Sequence, residues 1–100
     1  MPQSLSLRNQ THKRTRPRAR PALKSLLQSA LRGKFPSDTV DISDGFDGNI
    51  HVLVVSRVFD KMSERSRRAY LWNVIESTDM TDAELELITV LLAISPRELK

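Results

Sequence analysis

The sequence predicts an α+β fold of two layers in the order αββααβ, a three-stranded mixed sheet carrying its helices on one face. Three observations predict it. Leu23, Leu26, Leu27, Ala30 and Leu31 recur at the spacing of one buried helical face. Ile50-His51-Val52-Leu53-Val54-Val55 is rich in β-branched residues and apolar on both faces, as the inner strand of a small sheet requires. A helix-capping Ser63 then separates that run from a second apolar run, Leu87 to Ile94.

Each element has its own signals. Pro21 suits the first turn of a helix, and Gly33 with Pro36 supplies a stop, so the first helix is expected over 21–33. Val40 and Ile42 alternate with Thr39, Asp41 and Ser43, the period of a half-buried strand. Asp44-Gly45 and Asp47-Gly48 mark the following turn, and a hairpin with residues 50–55 is expected. The second helix is expected over 63–77, with Leu71, Val74 and Ile75 facing inward. Arg65, Arg67 and Arg68 crowd its first half. Cations there oppose the helix dipole, which points to a partner for them outside the helix.

Thr81-Asp82-Ala83-Glu84 has the spacing of a capping box and predicts a turn of helix at 81–85. The β-branched Ile88, Thr89, Val90 and Ile94 favour a strand over 86–94, closed by Ser95-Pro96, with a last turn from Pro96. This order leaves one sheet face bare, so a hydrophobic patch is expected there, open to a partner or a homodimer. The residues that face outward stay undetermined, because the loop between Ile42 and Ile50 leaves the register open.

The chain has 100 residues, 28% of them charged, and no cysteine. That length suits one domain, and without thiolates no disulfide or Cys-ligated centre can be built from this chain alone. The apolar run of residues 87–94 is far short of the ~20 residues that cross a bilayer, so no membrane role and a cytoplasmic setting are expected. Residues 1–36 carry nine Lys and Arg and no acid, whereas residues 37–100 carry seven Lys and Arg against twelve acids, a split of +9 and −5. Residues 1–20 read as a disordered basic tail and 21–100 as the domain. Lys13, Arg14, Arg16, Arg18 and Arg20 place five cations within eight residues of that tail, enough to release phosphate counterions.

The domain also resembles a known family. Val40-Asp41-Ile42-Ser43-Asp44 and its Gly-containing loop lead into Ile50-His51-Val52-Leu53-Val54-Val55-Ser56. Phe59 follows, three residues before Met62-Ser63, and the run from Leu87 to Ile94 leads into Ser95-Pro96-Arg97-Glu98-Leu99. Over about residues 22–99 this pattern resembles the BolA-like family. The resemblance implies the αββααβ topology related to type II KH domains and a non-enzymatic role. It also implies transcriptional regulation or partnership with a monothiol glutaredoxin in iron–sulfur cluster handling. The family's cluster role uses a His near the start of the second helix, but Arg65-Ser66-Arg67-Arg68-Ala69-Tyr70 has none. The loop from Asp44 to Asn49 also lacks His and Cys, which leaves His51 as the nearest imidazole and a weak metal candidate.

The expected function is therefore a non-catalytic binding or regulatory module without a cofactor. Nucleic acid is the first expected partner, contacted non-specifically by the basic tail together with Arg65, Arg67 and Arg68. Between the second strand and second helix the chain reads Arg57-Val58-Phe59-Asp60-Lys61-Met62, not the Gly-x-x-Gly that clamps a nucleic-acid backbone, so base-specific recognition is not expected. The alternative is a protein-interaction adaptor, including a monothiol glutaredoxin partner. Asp41, Asp44 and Asp47 lack the remaining ligands of a calcium loop, and Ser63 and Ser66 lack a placed His and acid, so no catalytic or metal reading follows.

Overall fold

The computed structural model describes residues 17–99. Residues 1–16, most of the expected tail, lie outside them. The elements are α1 (Arg20–Lys34), β1 (Thr39–Asp44), β2 (Ile50–Val55), α2 (Glu64–Glu76), α3 (Asp82–Leu85) and β3 (Ile88–Ile94), with short 3-10 turns at Phe46–Gly48, Arg57–Phe59 and Pro96–Leu99. This is the αββααβ order that the sequence predicts.

Helix α1 buries Leu23, Leu27 and Leu31 completely. Each such leucine contributes roughly 1.5–3 kcal/mol of burial free energy. The expected stop at Gly33 is not where the helix ends, since Gly33 keeps a negative φ and the helix runs through it to Lys34. It gives way at Phe35, whose backbone, directly before the other expected stop Pro36, is not helical; the Phe35 side chain turns into the core while its N–H still donates to the Leu31 carbonyl at 2.8 Å. There it meets Phe59 and Tyr70 at ring-centroid distances of 5.8 and 5.9 Å. This trio ties α1 to the turn after β2 and to α2, and the edge-on contacts that Tyr70 makes with both phenylalanines add to simple burial. Tyr70 is thereby a packing residue.

Ser63 caps α2 by accepting the Ser66 N–H at 3.1 Å, and Leu71, Val74 and Ile75 are buried as expected. The capping box of α3 is complete: Thr81 Oγ1 accepts the Glu84 N–H at 3.1 Å and Glu84 Oε1 accepts the Thr81 N–H at 2.9 Å. Glu86 and Leu87 are not part of β3, because their N–H groups close α3 by donating to the Asp82 and Glu84 carbonyls at 3.0 and 3.1 Å.

The strand order is β1-β2-β3, with β1 antiparallel and β3 parallel to β2. Val40 pairs with Val54, Ile42 with Val52, and Val52 with Leu91, all on the side that packs against the helices. An irregularity between Ile50 and His51 leaves Thr89 as an extra residue in β3. This bulge lets Ile88 and Leu91, three positions apart, both reach the core. The hairpin between β1 and β2 is tightened by Asp47 and Gly48, at φ 57° and 83°, a left-handed pair that Asp tolerates and Gly favours. No described helix is long and apolar enough to cross a membrane.

Candidate functional site

The register settles which side chains face away from the helices. From β2 they are His51, Leu53 and Val55, flanked by Thr39, Asp41 and Ser43 of β1 and by Val90, Leu92 and Ile94 of β3. Five of these nine are large and apolar: Leu53, Val55, Val90, Leu92 and Ile94. None is buried, and Leu92 is 48% exposed. The apolar patch expected on the bare face is thus present and now has named residues. Periodicity could not assign them, because β2 is apolar on both sides and the Thr89 bulge breaks the alternation of β3. Phe46, 87% exposed at the hairpin tip, is a further apolar group that sequence reading passed over as part of a turn.

The arginines of α2 do not form one solvent-facing cluster. Arg67 is 8% exposed and its guanidinium is held within the fold. Its Nε donates to the Met62 carbonyl at 3.1 Å, Nη1 to the Ala93 carbonyl at 3.2 Å and to Glu98 Oε1 at 2.9 Å, and Nη2 to Glu98 Oε2 at 2.8 Å. The hydrogen bonds from Arg67, helped by the Ser95 N–H, hold the Glu98 carboxyl below the ordinary carboxylate range, and the pair raises the Arg67 pKa in turn. Arg68 Nη1 donates to the Leu91 carbonyl at 3.1 Å. Only Arg65 is exposed without a hydrogen bond or ion pair to another described residue.

These bonds have a common target. The Ile94 carbonyl accepts the Ser56 N–H, so it faces β2, and the alternate carbonyls of Ala93 and Leu91 point to the free edge of β3. Arg67 and Arg68 cover that edge. The partner expected for them outside their helix is therefore the sheet itself, and covering an edge strand discourages pairing with another chain.

The tail cations divide similarly. Arg18 donates its backbone N–H to Glu84 Oε2 at 2.7 Å, and its guanidinium reaches Glu84 Oε1 at 3.0 Å and Asp79 Oδ1 at 2.9 Å. Arg20 opens α1 and lies 3.8 Å from Asp44, which also meets Lys24 at 3.1 Å. Arg18 thus bonds a buried carboxylate of the folded unit from ahead of the expected boundary at residue 21. Lys13, Arg14 and Arg16 lie outside the described residues.

His51 is half-buried on the open face, its ring packed against Gly45 so closely that a side-chain carbon there would collide with the imidazole. Among the described residues no group of three or more His, Cys, Asp or Glu could hold a metal ion. The Ser63 hydroxyl is used in the α2 cap and in a 3.1 Å bond to the Ser66 hydroxyl. Ser95, which is buried, donates to Asp60 and accepts the Arg97 N–H at 3.2 Å, fixing the C-terminal turn. No protein-family model matches the chain, and no curated protein or solved structure is significantly similar to it.

Proposed function

We propose that this chain is a non-catalytic binding module of the BolA-like kind its residues resemble, and that the open face of its sheet receives an apolar surface of a protein partner. The uncovered set Leu53, Val55, Val90, Leu92 and Ile94 carries this reading. Leu92 is exposed and the other four are part-buried, so covering the rest of each gains less than the roughly 1.5–3 kcal/mol of full burial, and a contiguous apolar patch of this kind is often functional. Three strands spaced ~4.8 Å apart offer a face of roughly 300 Å², well below the ~800 Å² per partner of a stable interface. The limit holds for any partner, a second copy or a helix alike, so contact through this face alone is weak and transient. One amphipathic helix, about 10–12 Å across, fits its width. The setting that goes with this reading is the cytoplasm, and the family resemblance makes a monothiol glutaredoxin the first protein to try.

A photo-crosslinker at Leu92, with one at the exposed Asn73 of α2 as control, tests this proposal. A partner caught only from Leu92 supports it, and labelling that is equal from both positions overturns it.

Charge favours a second reading, non-specific binding to nucleic acid. Of the cations expected to contact phosphate, Arg18 and Arg20 pair with acids and Arg67 and Arg68 are engaged in the fold, which leaves Lys13, Arg14 and Arg16, joined by Arg8, in the arm and Arg65 on α2. Four arm cations would give a salt slope of about −3.6 on duplex DNA. Salt titration of DNA and RNA binding with and without residues 1–16 checks this. Affinity that survives the deletion contradicts it.

A further inference from the structure

Where α2, α3 and the start of β3 meet, a groove of about 370 Å³ is lined by Trp72, Glu76, Leu85, Glu86 and Ile88. Ile88 is buried, Trp72 and Leu85 are half-buried, and Glu76 and Glu86 are exposed, so an apolar floor carries an acidic rim. Trp72 and Glu76 are one turn apart on α2 and share a face, and Glu86 caps the C-terminal end of α3. The charge along this part of the chain has one sign. Residues 69–96 hold Glu76, Asp79, Asp82, Glu84 and Glu86 and no Lys or Arg. Arg18 comes to Asp79 and Glu84 from outside that stretch, whereas Glu76 and Glu86 have no ion pair with a described residue.

We propose that this groove receives an arginine from a basic segment of a partner protein, its guanidinium stacked on the Trp72 ring beside Glu76 and Glu86. Three observations choose this occupant. The charge is complementary, since both rim carboxylates are without a cation and a phosphate-bearing ligand would be repelled. The chemistry favours a guanidinium: its plane stacks on an indole while its edge donates to carboxylates, which a compact ammonium does less well. The size suits one side chain rather than a cofactor, because the groove lies at the low end of the ~300–1,000 Å³ of ligand pockets. Leu85 and Ile88 then meet the aliphatic groups on either side of that arginine. The inference is independent of what the open sheet face binds.

Trp72 is the single tryptophan of the chain, so its fluorescence reports the groove alone. The test follows Trp72 emission while the full chain is titrated, to millimolar concentration, with a terminally blocked peptide that carries one arginine between leucines. The same peptide with citrulline, which keeps the shape and removes the charge, or with lysine serves for comparison. Glu76→Gln/Glu86→Gln is titrated in parallel, with a thermal melt confirming that it is folded. The arginine peptide should change the emission saturably. Citrulline should weaken binding about tenfold, as loss of a desolvated cation–indole contact implies, and lysine should bind between the two. The acid variant should bind the arginine peptide about threefold or more weakly, the scale of two exposed ion pairs. No saturable change, equal affinity for the arginine peptide and either comparison, or equal affinity of wild type and acid variant overturns the proposal. Emission that changes with protein concentration before peptide is added also overturns it, because a second copy would then fill the groove.

Discussion

Arg18 and Glu84 stand 66 residues apart in the chain, yet the backbone N–H and the guanidinium of Arg18 both bond the Glu84 carboxylate, at 2.7 and 3.0 Å. The Glu84 side chain is fully buried and that of Arg18 is 17% exposed. One carboxylate therefore completes the cap of α3 and fastens the chain ahead of α1 to it.

Arg18→Ala would take the guanidinium from that buried carboxylate, while the backbone N–H of residue 18 and that of Thr81 still donate to it. The variant should cost roughly 1.5–3 kcal/mol, the range for losing a hydrogen bond to a charged group. Arg20→Ala, which loses only an exposed 3.8 Å contact with Asp44, should cost less than about 1 kcal/mol. Urea unfolding of both variants checks the contrast. Equal costs would mean that the Glu84 carboxylate does not depend on Arg18.

The Arg67 and Glu98 pair predicts a pH dependence of definite sign. The Glu98 carboxyl titrates below its ordinary value in the folded chain, so the unfolded chain binds its proton at the higher pH. Its contribution is complete above the unfolded value of about 4.3 and is lost as the pH falls through the folded one. Glu98→Gln should therefore lower the melting temperature at neutral pH and narrow its gap to wild type on acidification. A gap that stays constant between pH 7 and 3 would contradict this.

Arg68→Ala should change stability little, because its side chain is largely exposed and its one bond is to the Leu91 carbonyl. It should instead increase self-association, by uncovering the free edge of β3. Sedimentation velocity across a concentration series checks this; a variant as monomeric as wild type would show that the edge needs no cover.

The elements legible in the sequence are those whose signal is local. Leu23, Leu27 and Leu31 repeat within one helix, Ser63 and Thr81 lie beside the N–H groups they cap, and the β-branched run of residues 50–55 defines a central strand by itself. Signals that depend on distant partners were not legible. An arginine on α2 reads alike in sequence whether water or the Ala93 and Leu91 carbonyls receive it, and the Glu98 that fixes Arg67 lies 31 residues away. Gly33 reads as a helix stop, but α1 runs one residue past it and gives way at Phe35, directly before Pro36, the other expected stop. The Thr89 bulge hides which side of β3 faces out, and with it the patch built from Leu53 and Leu92.

The binding of a crosslinked partner to the open face is tested most directly by its affinity, measured by calorimetry, for wild type and for Leu53→Glu/Leu92→Glu. Both positions lie on the face away from the core, but Leu53 stands between Asp41 and Leu92 across the strands, so the like charges should lower the melting temperature somewhat, and a thermal melt checks that the variant is folded at the assay temperature. Its affinity should fall more than about tenfold, a loss above 1.4 kcal/mol. Unchanged affinity in a folded variant would contradict the assignment of this face as the docking surface.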